Sequence, residues 1–395
     1  MHTRIYVLKP IVRAIACSAL VILAARTAGA VSCGEVLGPK AGTVVLDSHL
    51  ICPDEPVVTV VGPGTTLDLN GFYVTCSGSN STGILVTGSG AKVKNGVVAE
   101  CAVAAIAGSG RHKIEGLWSQ KIRVDSDRNK ISDCVTAFGD TDGFEIVGND
   151  NLLKNNVAFS AGFNGFKISG DGNALKSNLA IETRHGFGFA LFGAKDTKVI
   201  GNVSALNLAD GFISTSAGNR FLKNLSVAND GNGSAGGFVA SGTAADNRFQ
   251  KNKALHNEGV GILVAGDGGM VSKNQVMHNT DGGIEIPTAA SELKVTGNVS
   301  FGDQSTDMIE AESCADVQWK KNIFTTASDA CVESHHSPHF GAWRSSPSTQ
   351  PTLEANHEDS TSDDRSQCLT TSAIRHVRQG PVVPFGVDRS LGRGR

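Results

Sequence analysis

A short pattern, apolar-x-x-Asn, returns eight times along the chain, ending at Asn156, Asn178, Asn202, Asn224, Asn252, Asn274, Asn298 and Asn322, with spacings of 22, 24, 22, 28, 22, 24 and 24 residues. A period of this size marks a solenoid, whose repeats bury their apolar face only by stacking on one another. Three residues before each Asn stand Leu153, Leu175, Val199, Phe221, Phe249, Val271, Val295 and Trp319, so that column faces a core. Beyond the marker a Gly precedes an apolar residue, as in Gly165-Phe166, Gly188-Phe189, Gly211-Phe212, Gly237-Phe238, Gly261-Ile262 and Gly283-Ile284.

Each repeat is cut by Gly, Asn, Asp and Ser into runs of three to five residues with alternating apolar positions. That is short-strand punctuation, and no run holds a helical stripe. The 47 glycines, with Asn, supply turns of positive φ. The reading is an all-β fold, a parallel β-helix in which successive coils lie about 4.8 Å apart and equivalent residues stack in ladders. Asn recurs because its amide can bond the same amide in the coils above and below while its backbone accepts a tight bend. The pattern continues backwards through Cys134, Leu117, Gly96 and Gly71, giving about twelve coils of roughly 22–24 residues and a rod of roughly 55–60 Å. The 28-residue coil between Asn224 and Asn252 holds an insertion, NDGNGSAGG, expected to bulge from the rod.

The cysteines test this register. Cys76 lies five residues after Gly71 and Cys101 five after Gly96, which places them at one position on adjacent coils and within disulfide range. Cys33 with Cys52, and Cys314 with Cys331, are the further candidate pairs. Cys134 sits at the marker position as a small buried thiol, and Cys368 is left without a candidate partner.

Residues 1–30 read as an export signal: Arg4, Lys9 and Arg13, an apolar run from Ala14 to Ala25, and Ala28-Gly29-Ala30 as a small-x-small cleavage site. Lipid modification of Cys33 in the sequence AVSC is the competing reading. No later run approaches the roughly 20 apolar residues of a transmembrane helix. Loss of Arg4, Lys9, Arg13 and Arg26 with the signal, which holds no acid, takes the formal net charge from −3 to −7. An acidic balance gives no overall electrostatic footprint for nucleic acid or anionic lipid. An oxidising compartment would let the eight cysteines beyond the signal pair. The expected layout is a signal over 1–30, a cap with the first strands over 31–66, repeats over 67–332 and a disordered Ser-, Thr-, Pro-, Asp- and Arg-rich tail over 333–395. Of five N-x-S/T sequons, those at Asn202, Asn224 and Asn298 are ladder positions, which leaves Asn80 and Asn232 as acceptors in a eukaryotic setting.

The pattern φ-x-x-N-x-x-x-x-N-x-x-x-G-φ, as in VSKNQVMHNTDGGI and FQKNKALHNEGVGI, resembles secreted right-handed parallel β-helix proteins, the broad pectate-lyase-like group that includes periplasmic maturation proteins of nitrous oxide reductase. The opening CGEVLGPKAGTVVLDSHLIC followed by GPGTTLDLNGF is similar to the start of many secreted members, and the resemblance runs from about Cys33 to Cys331. It implies a right-handed coil and a polysaccharide as partner, bound or processed by a lyase, epimerase or hydrolase. Fold alone does not fix function. Polygalacturonase-like chemistry would need an N-x-D strand, an adjacent Asp pair, a G-H-G and an R-I-K; the nearest pieces are Arg184-His185-Gly186 and DTDGFEI, with no Asp pair stacked beside them. The D-P-H motif of alginate epimerase-like members does not occur, and Arg184 with Asp210 falls short of a pectate-lyase-like set.

A polar stripe remains in the turn after the marker strand: Asp140, Asp142, Asn164, Arg184, His185, Asn207, Asp210, His256, Asn257, Glu258, His278, Asn279, Asp281 and Asp303. His256 and His278 each stand four residues past their marker, so they should stack on adjacent coils. One reading is a groove in which Arg184, His185, Asp210, His256, Glu258, His278 and Asp281 contact a sugar chain, with His or a carboxylate as base. The other is a solvated turn in which Asn207, Asn257 and Asn279 merely fill the second Asn of the repeat. Neither His256, His278 and Asp281 nor His335, His336 and His339 have the close spacing of a metal site, and the sequence leaves any cofactor unknown. Function divides between a polysaccharide-binding or polysaccharide-processing protein and a non-catalytic surface scaffold.

Overall fold

Corners, rather than strands, set the path of this chain. The computed structural model describes residues 30–332, apart from 54–55, 77–80, 106–107, 231–235, 288–289, 311–315 and 330–331. Most coils carry three short strands and three corners, and at many corners a residue in the left-handed region is followed by an Asn. Before the marker column, Asp133, Asn155, Ser177, Lys223, Lys251 and Lys273 have φ of 55–57°. Such a bend turns backbone N–H groups inward, where water cannot reach them, so they need partners within the protein. The Asn supplies one. Asn156 donates its backbone and side-chain N–H to the Asn178 amide oxygen at 2.9 and 3.0 Å, and Asn178 does the same to Asn202 at 2.8 and 2.9 Å.

All the described elements are strands, and they pair in parallel, each with its equivalent one coil away, to form a parallel β-solenoid of about twelve turns. Three faces result. The first runs through Phe144–Ile146, Phe166–Ile168, Phe189–Leu191 and Phe212–Ser214. The second precedes the marker Asn and includes Lys198–Ile200, Arg220–Leu222 and Arg248–Gln250. The third follows the marker, as in Val157–Phe159, Leu179–Ile181 and Val203–Ala205. Solenoid pairing already begins at Glu35–Leu37, which lies beside Val58–Val60.

Inside, the ladders become ring stacks. Phe144, Phe166, Phe189, Phe212 and Phe238 lie nearly parallel, with centroids 4.6, 4.7, 4.8 and 4.7 Å apart. A second stack, Phe221 on Phe249 at 4.8 Å, meets the first edge-on at 6.2–6.3 Å. Burying each ring removes apolar surface worth about 1.5–3 kcal/mol from water, and the strand spacing alone puts the rings in contact. The Gly before each Phe answers a close approach: a Cβ on Gly188 would lie 2.0 Å from Ser204 Oγ, and one on Gly211 would lie 2.2 Å from Ser226 Oγ.

Two disulfides fasten the early coils, Cys33 to Cys52 with Cα atoms 5.7 Å apart and Cys76 to Cys101 at 5.8 Å. The register behind the second pair differs from the sequence reading by one residue. Gly96 aligns with Phe72 rather than Gly71, because Tyr73 pairs with Val97. Cys101 still reaches Cys76 because Glu100, at φ 61°, adds one residue to its coil. Cys314 and Cys331, the signal, the tail with its three histidines, Asn80, Asn232 and most of the insertion lie outside the described residues.

Candidate functional site

The corner that follows the third face carries the stripe singled out in the sequence, and its members separate into structure and surface. Asn207, Asn229, Asn257 and Asn279 form a buried ladder in which each donates side-chain N–H to the next at 2.8–3.0 Å. Asp303 ends it, receiving Asn279 on Oδ1 at 2.8 and 2.9 Å and Ser300 Oγ on Oδ2 at 2.9 Å. Burial pushes the Asp303 carboxyl up, against those hydrogen bonds, and Asp307 adds to the rise. Asp142 and Asn164 are likewise internal: Asn164 donates to Asp142 Oδ1 from its backbone at 3.0 Å and its side chain at 2.7 Å. These positions hold the coil together.

Asp210 belongs with them. It is only 3% exposed, which sets it apart from the exposed members of the stripe. The remaining candidates are exposed but do not converge. Arg184 and His185 sit on one coil and His256 and Glu258 three coils on, roughly 14 Å along the rod at one strand spacing per coil. His256 and His278 do stack, with centroids 5.1 Å apart and planes at 19°, and His278 Nδ1 lies 3.2 Å from Gly302 O. Asp281 raises the Glu285 carboxyl beside it, adding to a larger effect of burial. No group of three metal-ligating side chains is found among the described residues.

What gathers around Arg184 is an apolar patch with a charged rim. Arg184 reaches back across one whole coil to donate to Gly139 O at 2.6 Å and to Asp140 Oδ1 at 3.3 Å. On the two coils it reaches over, Phe138 and Phe163 are 59% and 52% exposed, and on the coil after its own Leu206 and Leu208 are also turned to solvent. Phe138 meets Phe159 edge-on at 5.1 Å, and Phe163 lies 6.3 Å from the His185 ring. Beside them a shallow cleft of about 350 Å³ is lined by Glu182, Arg184, Leu206, Leu208 and Asp230 among others. Phe138 holds φ 58° and Leu206 φ 55°, where a small residue or Asn would fit more easily, so the corner itself thrusts large apolar groups outward. The sequence reading followed polar residues and passed over these four; their signal was a Phe or Leu in the column otherwise held by Ser160, Ala228 and the two histidines, and in the turn just beyond it.

Residues 120–270 match the family model described as a right handed beta helix region, over coils whose strands are all parallel and in register. The fold of this chain is a right-handed parallel β-helix. No curated protein matches it in sequence. Among solved structures, this β-helix protein is similar to a double mutant of the periplasmic alginate epimerase, at 13% identity over 68% of this chain and 77% of that one, with a TM-score of 0.48. The A-module of a mannuronan C-5 epimerase from Azotobacter vinelandii aligns at 14% identity over 73% and 89%, with a TM-score of 0.40. The catalytic unit of an alpha-1,3-glucanase from Streptomyces thermodiastaticus aligns at 13% over 75% and 65%, with a TM-score of 0.35.

Proposed function

We propose that this β-helix protein acts outside the cytoplasm and binds a polysaccharide laid along the corner that carries Phe138, Phe163, Leu206 and Leu208. The observation that carries this is the set of large apolar side chains held in solvent along one corner, on three of four consecutive coils. Contiguous exposed apolar surface rimmed by polar groups marks interaction sites, and here the rim is Arg184, Asp140, His185 and Glu182. A sugar ring offers an apolar face to a Phe or Leu platform and hydroxyls to such a rim. Platforms spread over four coils, roughly 14 Å at one strand spacing per coil, suit a polymer better than a small ligand. Two disulfides in the first coils accord with an oxidising compartment, as does the signal-like leader.

Binding, rather than bond cleavage, is the activity this arrangement supports. Asp140, one acid of the rim, is already engaged by Arg184, and the two stacked histidines stand several coils away. The test is to incubate the chain, with and without calcium, with pectic, alginate-like, neutral glucan and sulfated polysaccharides. Retention on an immobilised glycan and new reducing or unsaturated ends would both be scored. Retention without products is the expected result. Products would establish a processing enzyme, and no retention on any glycan would leave a plain scaffold.

A further inference from the structure

The formal charge of −3 averages over a segregated surface. On the second face, Lys198, Arg220 and Arg248 stand in direct register on three successive coils. The corner beyond it repeats the arrangement with Lys223, Lys251 and Lys273, all held at φ 55–56°. All six are exposed. Lys154 and Lys176, paired on two preceding coils, continue the stripe, as do Lys294 and Lys320 after it. Elsewhere on the rod cations pair with acids, as Lys94 with Asp68 and Lys121 with Glu145, both at 2.6 Å. Among the described residues, no ion pair engages the six. The nearest acids along the chain, Asp196 and Asp246, instead lie over Gly218 and Gly268 of the next coil. Like charges directly opposite on neighbouring strands are destabilising, so an unpaired cationic ladder is a local cost that folding does not explain.

We infer that this face is a second binding surface, distinct from the apolar corner, and that its partner is a polyanionic glycan carrying about one carboxylate or sulfate per sugar. Two rows of cations advance by about 4.8 Å per coil, a step comparable to one sugar ring and its glycosidic oxygen. A nucleic-acid strand brings a charge every ~3.4 Å, which does not match coil for coil. Single strands also bind through exposed aromatic platforms, and the aromatic rings of this face, Phe221, Phe249 and Trp319, are buried. The observations therefore favour the glycan.

The test uses the full chain and four probes: polygalacturonate, duplex DNA and vesicles containing anionic lipid at equal charge concentration, and the uncharged methyl ester of polygalacturonate at equal sugar concentration. Polygalacturonate should bind at low ionic strength, weaken steeply with salt, and outcompete the other three. The triple variant Lys198→Gln, Arg220→Gln and Arg248→Gln should lose at least about tenfold in affinity and show a shallower salt dependence. A second triple variant, Lys223→Asn, Lys251→Asn and Lys273→Asn, suits the left-handed corner and should do the same with a melting temperature no lower than wild type. Retention of a neutral glycan should be unchanged in both triple variants, so that failure here is separable from failure of the apolar corner. Unchanged affinity in both triple variants, tighter binding of DNA or vesicles, equal binding of the methyl ester, or no polygalacturonate binding would each overturn the assignment.

Discussion

Asn202 gives both its backbone N–H and its side-chain N–H to a single acceptor, the amide oxygen of Asn224, at 2.9 and 3.1 Å. Asn224 in turn donates to Val199 O at 2.8 Å and to Asn252 Oδ1 at 3.0 Å. One amide thus satisfies groups on three coils. Replacing Asn224 by Ala would strand both N–H groups of Asn202 and the Val199 carbonyl, at about 1–3 kcal/mol for each group that finds no other partner. Asn224→Ala should lower the unfolding free energy by roughly 2–5 kcal/mol, read from denaturant midpoints, and Asn224→Asp should not rescue it.

The phenylalanine stack makes a second claim about stability. Phe189 is sandwiched between Phe166 at 4.7 Å and Phe212 at 4.8 Å. Its neighbours are fixed by the sheet and cannot close a gap, so Phe189→Ala should cost about 3–5 kcal/mol. Phe189→Leu should cost clearly less. Equal losses for the two variants would show that ring stacking at strand spacing is not what fills this position.

The Cys76–Cys101 bond closes a loop across a sequence separation of 25. Chain-entropy reasoning gives about 3 kcal/mol for such a loop. Replacing both cysteines with Ser should lower the thermal midpoint of the early coils, seen as loss of amide protection there. The free Cys134 thiol should stay unreactive in the native protein, because burial pushes its pKa up to about 12.

Asp303 stands where the ladder otherwise uses Asn, and burial raises its carboxyl pKa in the folded state. A raised folded pKa means that its contribution is present at low pH and lost as pH rises through that value. Asp303→Asn keeps an oxygen for Asn279 and removes the buried charge. It should therefore be more stable than the parent at neutral pH, with the difference fading as pH falls below the ordinary aspartate range near ~4. Melting temperatures across pH check this, and a variant less stable at pH 7 would contradict it.

Much of the fold was legible because a solenoid repeats each physical requirement once per coil. Leu153, Leu175 and Val199 could be placed inside from spacing alone, and the same spacing stacked His256 on His278. The other Asn column, at Asn129, Asn151, Asn173, Asn219 and Asn247, escaped notice although each lies five residues before its marker, because Thr197 and Gly269 interrupt it. Register slipped at Gly71 because a single left-handed residue, Glu100, lengthens one coil without changing its apolar pattern. The candidate site was harder to read. Asp210 and Arg184 are both charged residues in a turn, and only the coil's cross-section decides that one points in and the other out. Phe138 and Phe163 looked like core residues by type, and their exposure follows from corner geometry that no local pattern announces.

The most direct measurement is the affinity of the best-retained neutral glycan for the parent chain and for Phe163→Ala, by calorimetry, with both melting temperatures recorded. Loss of an aromatic platform from a binding surface costs more than about 1 kcal/mol when it is an anchor. The account predicts binding about tenfold weaker or worse with an unchanged melting temperature. Equal affinities for the two proteins would contradict it and move the polysaccharide site away from this corner.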